Sequence, residues 1–200
     1  MRINGEAVLH APVQQVWDAL QDPAILVRTI PGCERLETTG PDQYAMTVSA
    51  GVAAIKGTYA GRVALSERDS PKSFHMTASG SGGPGTVQTE VRVELTEDGA
   101  DATRVRYDAD AEVGGVVAGV GQRMLVAVAK KTASEFFAAV DDVLTGRAVL
   151  PAAATPDVPA GTYIAPAPPA RGNDFVRGVV VGAAVALAGV AVGLVAGRRR

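Results

Sequence analysis

The stretch of sequence that decides the fold is residues 114–144, GGVVAGVGQRMLVAVAKKTASEFFAAVDDVL. Apolar residues recur in it every three or four positions, which is the period of one face of an α-helix. A helix of this length would span about 45 Å and could cover a whole sheet. We therefore predict one long amphipathic helix here. Its apolar face consists of Val117, Val120, Met124, Val128, Ala133, Phe137, Val140 and Leu144.

The first part of this stretch is rich in glycine. Gly114, Gly115, Gly119 and Gly121 lie within eight residues, and each glycine costs about 1 kcal/mol relative to alanine inside a helix. One interpretation is an irregular start to the helix, or close packing on the sheet. The other is that the missing side chains leave a space between helix and sheet. The sequence alone leaves both open.

The chain before this stretch predicts an antiparallel sheet. A strand is expected over residues 3–9, and two short helices, ending at Asp22-Pro23 and Pro31-Gly32, follow it. From there to Val113 apolar and polar residues alternate in about six runs separated by turn signals. Such short connections leave no room for crossover helices. The predicted fold class is α+β, with a curved antiparallel sheet of about seven strands around the long C-terminal helix.

The positions that face the helix mix bulky residues with small ones such as Gly57, Gly61, Gly80 and Thr89. Small residues cannot fill the space between a sheet and a helix, so we predict an apolar pocket with few polar groups. A loosely built core of small residues is the alternative. The predicted ligand-binding residues are Tyr44, Met46, Tyr59, Met76, Ala78, Val91, Tyr107, Val117, Val120, Gly121, Met124 and Leu125.

No set of residues in the sequence predicts catalysis or metal binding. The two histidines, His10 and His75, occupy outward positions of predicted strands. Cys33 has no neighbour that would lower the pKa of its thiol, so it is expected to be inert. Asp108, Asp110 and Glu112 alternate along one strand and predict a solvated face rather than a calcium site. We therefore expect a protein that is not an enzyme.

Charge and composition divide the chain into three parts: a body over residues 1–145, a linker over 146–174 and an apolar C-terminal segment over 175–200. The body has a net charge of −6 and the remainder one of +4, and an acidic body argues against a nucleic-acid partner. The linker is rich in proline and alanine and is predicted to be flexible. It would span roughly 30 Å as a coil.

The C-terminal segment predicts a membrane anchor. Residues 178–197 carry no charge and are followed by three arginines, and about 20 helical residues match the hydrocarbon thickness of a bilayer. Because valine, alanine and glycine dominate, a helix lying in the interface is as consistent as one that spans. The amino terminus lacks the pattern of a signal peptide. The body is therefore expected on the cytoplasmic side of the membrane.

Several motifs in fixed order resemble the family of the carbon monoxide dehydrogenase G subunit. They are Ala11-Pro12, Ile30-Pro31-Gly32-Cys33-Glu34, Lys56-Gly57-x-Tyr59 and Gly121-Gln122-Arg123, and the resemblance covers roughly residues 1–144. The family belongs to the START-like, or SRPBCC, superfamily, so the resemblance implies a helix-grip fold that binds hydrophobic ligands. It also implies a molybdenum CO dehydrogenase-type oxidoreductase as partner. It supplies no catalytic residues to carry over.

The residues and the resemblance together predict a non-enzymatic, membrane-tethered carrier or adaptor. Its ligand would be a quinone or another lipid, with no covalently bound cofactor, and it would link the oxidoreductase to the membrane. One alternative is an assembly factor for that enzyme with a vestigial pocket. The other is an enzyme of the same fold that acts on a lipid or a polyketide.

Overall fold

The computed structural model describes residues 1–148 and 159–165. Strands dominate, and helices occur in two places: after the first strand and near the end of the described chain. A short 3₁₀ helix over Val116–Val120 precedes the last α-helix. The elements are β1 (Arg2–Leu9), α1 (Val13–Ala19), α2 (Pro23–Thr29), β2 (Cys33–Gly40), β3 (Gln43–Val52), β4 (Ile55–Asp69), β5 (Ser73–Gly82), β6 (Gly85–Glu97), β7 (Thr103–Gly114), α3 (Gln122–Leu144) and β8 (Thr162–Ile164).

All eight described strands form one antiparallel sheet in the order β1-β7-β6-β5-β4-β3-β2-β8. The prediction of an α+β fold with an antiparallel sheet and a C-terminal helix is confirmed. Alternation also places side chains as expected: along β4, half-buried and exposed residues alternate from Ile55 to Val63. The sheet has one strand more than the approximate seven predicted.

The long helix begins at Gln122, so the prediction of a helix from residue 114 was wrong for its first eight residues. β7 continues through Gly114, and the 3₁₀ helix follows. Gly115 and Gly121 have φ values of +82° and +90°, which an α-helix does not allow. Glycine adopts this left-handed region without the steric cost that a side chain would bring. The glycines therefore mark a break between strand and helix, which corresponds to the irregular start that the sequence left open.

The tightly packed core lies at one end of the sheet, which we call the closed end. Here the turns β4–β5 and β6–β7 meet α1 and the C-terminal half of α3. Trp17 packs edge-on against Phe74, with ring centroids 5.7 Å apart. Val140 of α3 is completely buried in the same cluster. Thr103 is also buried, and its hydroxyl donates a hydrogen bond of 2.8 Å to the carbonyl oxygen of Ala11.

β8 lies within the segment predicted as a flexible linker, so that prediction was wrong for Thr162–Ile164. Leu36 of β2 pairs with Tyr163, and Arg35 pairs with Ile164. Tyr163 and Ala165 then pack against the buried cluster of Val27, Cys33 and Leu36. A strand of three residues forms here because β2 offers an unpaired edge and an apolar cluster beside it.

The predicted membrane anchor, residues 175–200, lies outside the described residues, as does most of the predicted linker. Within residues 1–148 and 159–165, none of the helices has the length and apolar character needed to cross a bilayer.

Candidate ligand-binding site

The candidate site lies between the sheet and the start of α3, at the end opposite the closed end. We call this the open end. The β3–β4 turn, the β5–β6 turn and the 3₁₀ helix meet there. The carbonyl oxygen of Pro84, in the β5–β6 turn, accepts a hydrogen bond of 3.0 Å from the backbone N–H of Val117. The Pro84 ring covers Gly57, where an added Cβ would lie 2.5 Å from Pro84 Cγ.

Inward positions at the open end leave room beside the sheet. Gly80 is the clearest case, because a Cβ added there would meet no atom within 4 Å. Gly61 is different, since Met46 lies over it at 3.0 Å from an added Cβ. Tyr59 and Ala78 are half-buried and belong to none of the buried clusters. The sheet therefore presents half-buried apolar side chains around unfilled space.

Tyr107 lies between the closed core and the open end. Its ring stacks on Phe137 of α3 with centroids 5.8 Å apart, and it extends over Gly5, where an added Cβ would lie 2.4 Å from the hydroxyl oxygen. Burial raises the pKa of the Tyr107 hydroxyl, so at neutral pH this group remains a hydrogen-bond donor. Met76 and Val91, two further predicted residues, also pack against the closed core.

Tyr44 and Met46 form the side of the site nearest β2. Both pack against the cluster of Val27, Cys33 and Leu36, together with Tyr163. Burial raises the pKa of Tyr44, and the carboxylate of Asp42 raises it further. Tyr163 is the residue near the site that sequence reasoning missed. Its only local signal was an aromatic residue within a proline- and alanine-rich stretch.

The predicted residues after β7 occupy different environments. Val117 is buried, and its Cγ1 would lie 3.1 Å from a Cβ added at Gly85. Val120 and Leu125 are half-buried. Gly121 is the residue before α3, and nothing lies within 4 Å of a Cβ added there. Met124 is 46 % exposed, so the structure places it at the edge of the site rather than inside.

Three open hollows of about 900, 1040 and 870 Å³ lie over the other face of the sheet. No residue of the 3₁₀ helix or of α3 lines them. Their walls are mostly outward side chains, including Arg62, Ser79 and Gln88. They are therefore distinct from the predicted apolar site, although inward residues such as Met46 and Ala78 contribute to their linings.

The titratable residues considered from the sequence have other partners. His10 Nδ1 lies 3.0 Å from a carboxylate oxygen of Asp141 at the closed end. His75 accepts a hydrogen bond of 2.8 Å from Arg92 on the outer face. Cys33 is buried, and burial raises the pKa of its thiol. No group of metal-ligating residues occurs within residues 1–148 and 159–165.

The sequence profile of the family described as the carbon monoxide dehydrogenase G subunit (CoxG) matches residues 5–145 of the chain. None of the curated proteins compared with the chain gave a match. Among solved structures, a conserved protein from Geobacillus kaustophilus is 38% identical, with a TM-score of 0.71. The match covers 73% of this chain and 96% of that one.

Two more distant structures show the same fold. A START superfamily protein from Mycobacterium smegmatis is 16% identical with a TM-score of 0.58, covering 74% of this chain and 99% of that one. The Zhui aromatase/cyclase from Streptomyces sp. R1128 is 17% identical with a TM-score of 0.57, covering 74% and 94%. At these identities the likeness concerns the fold alone.

Proposed function

This chain belongs to the CoxG family of carbon monoxide dehydrogenase, and from that premise we propose that it is a non-enzymatic carrier of an apolar ligand. Membership of the family and the START-like fold suggest a role in binding a hydrophobic ligand. The ligand that we propose is a quinone. The partner that we propose is a molybdenum CO dehydrogenase-type oxidoreductase, which the protein would connect to the membrane.

One observation carries the proposal: the open end combines unfilled space with apolar walls. The space is next to Gly80, where a side chain would meet nothing. Around it, Tyr59 and Ala78 remain half-buried rather than packed into a core. Ligand sites are typically apolar hollows with a few polar groups that orient the ligand. Tyr107 supplies such a group, because its hydroxyl is a donor at the inner limit of this space.

The proposed partner explains why such a carrier would be needed. A quinone dissolves in the bilayer, whereas a soluble oxidoreductase has its redox centres in water. A protein that shields the quinone from water could transfer it between the two. Tethering by the C-terminal segment would raise the local concentration of carrier at the membrane without any additional contact.

The test of ligand binding uses two adjacent positions of β5 that face opposite ways. Gly80→Leu directs a side chain into the unfilled space, and Ser79→Leu directs the same side chain outward. The ligand is a short-chain naphthoquinone, titrated in detergent-free buffer and followed by native mass spectrometry. Filling an existing hollow adds contacts without overpacking. We therefore expect Gly80→Leu to fold normally and to bind the quinone at least about tenfold more weakly.

Ser79→Leu should bind as the unsubstituted protein does. Absence of quinone binding by the unsubstituted protein, or equal binding by all three proteins, would refute the carrier. An assembly factor with a vestigial pocket predicts a different result in cells. There, Gly80→Leu would support full CO oxidation, whereas a carrier with a blocked site would not.

A further inference from the structure

Exposed apolar side chains gather at the open end. We define the open rim as residues 52–55, residues 82–85, Val116–Val120 and residues 122–125. Val116 is 68 % exposed and Met124 is 46 % exposed. Val120 and Ile55, also on the rim, are half-buried. Large apolar side chains grouped on an exposed edge indicate a contact surface rather than a solvated one.

The charge of the open rim is opposite to that of the body. Lys56 follows the first rim segment directly and Arg123 lies within the last, and both are exposed. No aspartate or glutamate occurs in any rim segment, nor anywhere in residues 113–134, although the body as a whole has a net charge of −6. The neighbouring carboxylates, Glu34 and Glu112, lie on β2 and β7 outside the rim.

The two cations are available for an external partner. Within residues 1–148 and 159–165, neither Lys56 nor Arg123 forms an ion pair. Other cations of the body are neutralised locally, as Arg2 is by Asp108 at 2.9 Å. A cation without a neighbouring carboxylate keeps its full attraction for an external anion.

We propose that the open rim docks on an anionic bilayer surface. Val116 and Met124 enter the headgroup region, and Lys56 and Arg123 lie among the lipid phosphates. This is the pattern of an interfacial contact, in which apolar side chains enter the interface and cations hold anionic lipid. The contact involves no residue of the C-terminal segment, so it would add to any tether. That a ligand passes directly between bilayer and site through this contact rests on the proposed function, whereas the docking itself does not.

The test uses the full chain with Cys33→Ala, which removes the only cysteine. An environment-sensitive dye is attached through Met124→Cys on the rim, or through Ser79→Cys on the outer face of the sheet. Each protein is mixed with vesicles of phosphatidylcholine alone or of phosphatidylcholine with about 30 mol% phosphatidylglycerol, an anionic lipid. We expect the rim dye to shift to shorter wavelength on the anionic vesicles, and the outer-face dye to remain unshifted.

A matched pair of charge reversals tests the electrostatic part. Lys56→Glu changes a rim lysine, and Lys72→Glu changes a lysine in the β4–β5 turn at the closed end. One lysine near an anionic surface changes affinity by about fivefold, so reversing its charge should cost about tenfold or more. We expect Lys56→Glu to require at least about tenfold more anionic lipid for the same shift of the rim dye, and Lys72→Glu to need no more than the parent.

Three results would overturn the proposal. The rim dye could stay unshifted on anionic vesicles that sediment with the protein, which would mean that the tail alone binds. The two charge reversals could have equal effects. The rim dye could respond to an acidic protein and not to vesicles, which would assign the rim to a protein partner. Loss of quinone binding with a normal rim shift would instead refute the carrier and leave the docking in place.

Discussion

The carboxylate of Asp141, near the end of α3, accepts a hydrogen bond of 2.6 Å from the backbone N–H of His10, the residue after β1. Arg147 donates a second bond of 2.6 Å to the other carboxylate oxygen. Asp141 is only 7 % exposed. This carboxylate therefore fixes the end of the first strand to the end of the last long helix.

The first prediction concerns Asp141→Asn. A neutral amide at this buried position would weaken the bonds from His10 and Arg147, and leaving such donors unsatisfied costs about 1–3 kcal/mol. We expect the free energy of unfolding to fall by that amount in urea denaturation at pH 7. Asp142→Asn is the control, because Asp142 is less buried and its carboxylate bonds to the exposed Arg147 alone among the described residues. It should cost less than about 1 kcal/mol, and equal losses in both variants would contradict this account.

The second prediction is the pH dependence of the same group. Burial alone would raise the pKa of Asp141, but the hydrogen bonds from His10 and Arg147 outweigh it, and the pKa lies below its usual 3.8. A carboxylate with a lowered pKa stabilises the fold above its unfolded-state pKa, and this is lost as pH falls through the folded-state pKa. Between about pH 5 and pH 2 the unsubstituted protein should therefore lose more unfolding free energy than Asp141→Asn. Parallel pH profiles would show that this carboxylate does not contribute.

The third prediction compares alanine at two inward glycines. At Gly5 the new methyl group would lie 2.4 Å from the Tyr107 hydroxyl and would displace that ring from Phe137. Overpacking of this kind costs about 1–3 kcal/mol. At Gly80 the methyl group meets no atom, so its effect on stability should be neutral or slightly favourable. Thermal melts of both variants provide the measurement, and a large loss at Gly80 would mean that the space is filled.

The fourth prediction tests whether β8 protects Cys33. Tyr163 packs on the cluster that buries this thiol, so Tyr163→Ala should expose it and accelerate its reaction with a disulfide reagent by about tenfold or more. Ile164, the next residue, is 51 % exposed and serves as the matched control. Ile164→Ala should leave the rate unchanged. If neither variant changes the rate, β8 does not cover this side of the site.

The fifth prediction concerns where the folded body ends. A chain that stops after Ala165 keeps β8, whereas one that stops after Ala148 lacks it. Removing β8 uncovers the edge of β2 and part of the cluster around Leu36, which is completely buried. We expect the longer form to melt near the temperature of the full chain and the shorter form several degrees lower. Identical melts would show that β8 adds nothing to stability.

The sheet could be predicted from the sequence because its signal is local. Tyr44, Met46 and Val48 alternate with small polar residues, and such a period of two specifies both the strand and the face that each residue occupies. The antiparallel order followed from short connections, which permit few other arrangements. The α+β class was predictable for the same reason.

The departures come from tertiary contacts that leave little trace in a local pattern. Val116–Val120 continues the apolar period of α3, yet the bond from Val117 to Pro84 holds it as a separate 3₁₀ helix. β8 exists because the edge of β2 lies beside it, and a three-residue strand has no period to detect. Met124 lies on the apolar stripe of α3, but that stripe extends past the sheet at the open end, so its side chain is exposed.

The attachment of Ala165 to the sheet shortens the leash on which the body would move. The backbone N–H of Ala165 donates a hydrogen bond of 3.0 Å to the carbonyl oxygen of Glu34, so this residue is fixed to the body. Only nine residues separate it from residue 175, and nine residues reach about 30 Å at full extension. If the C-terminal segment is held in a bilayer, the sheet must stay within that distance of the lipid surface. A bulky enzyme would then have to approach from the side, because the leash is too short for it to fit between body and membrane.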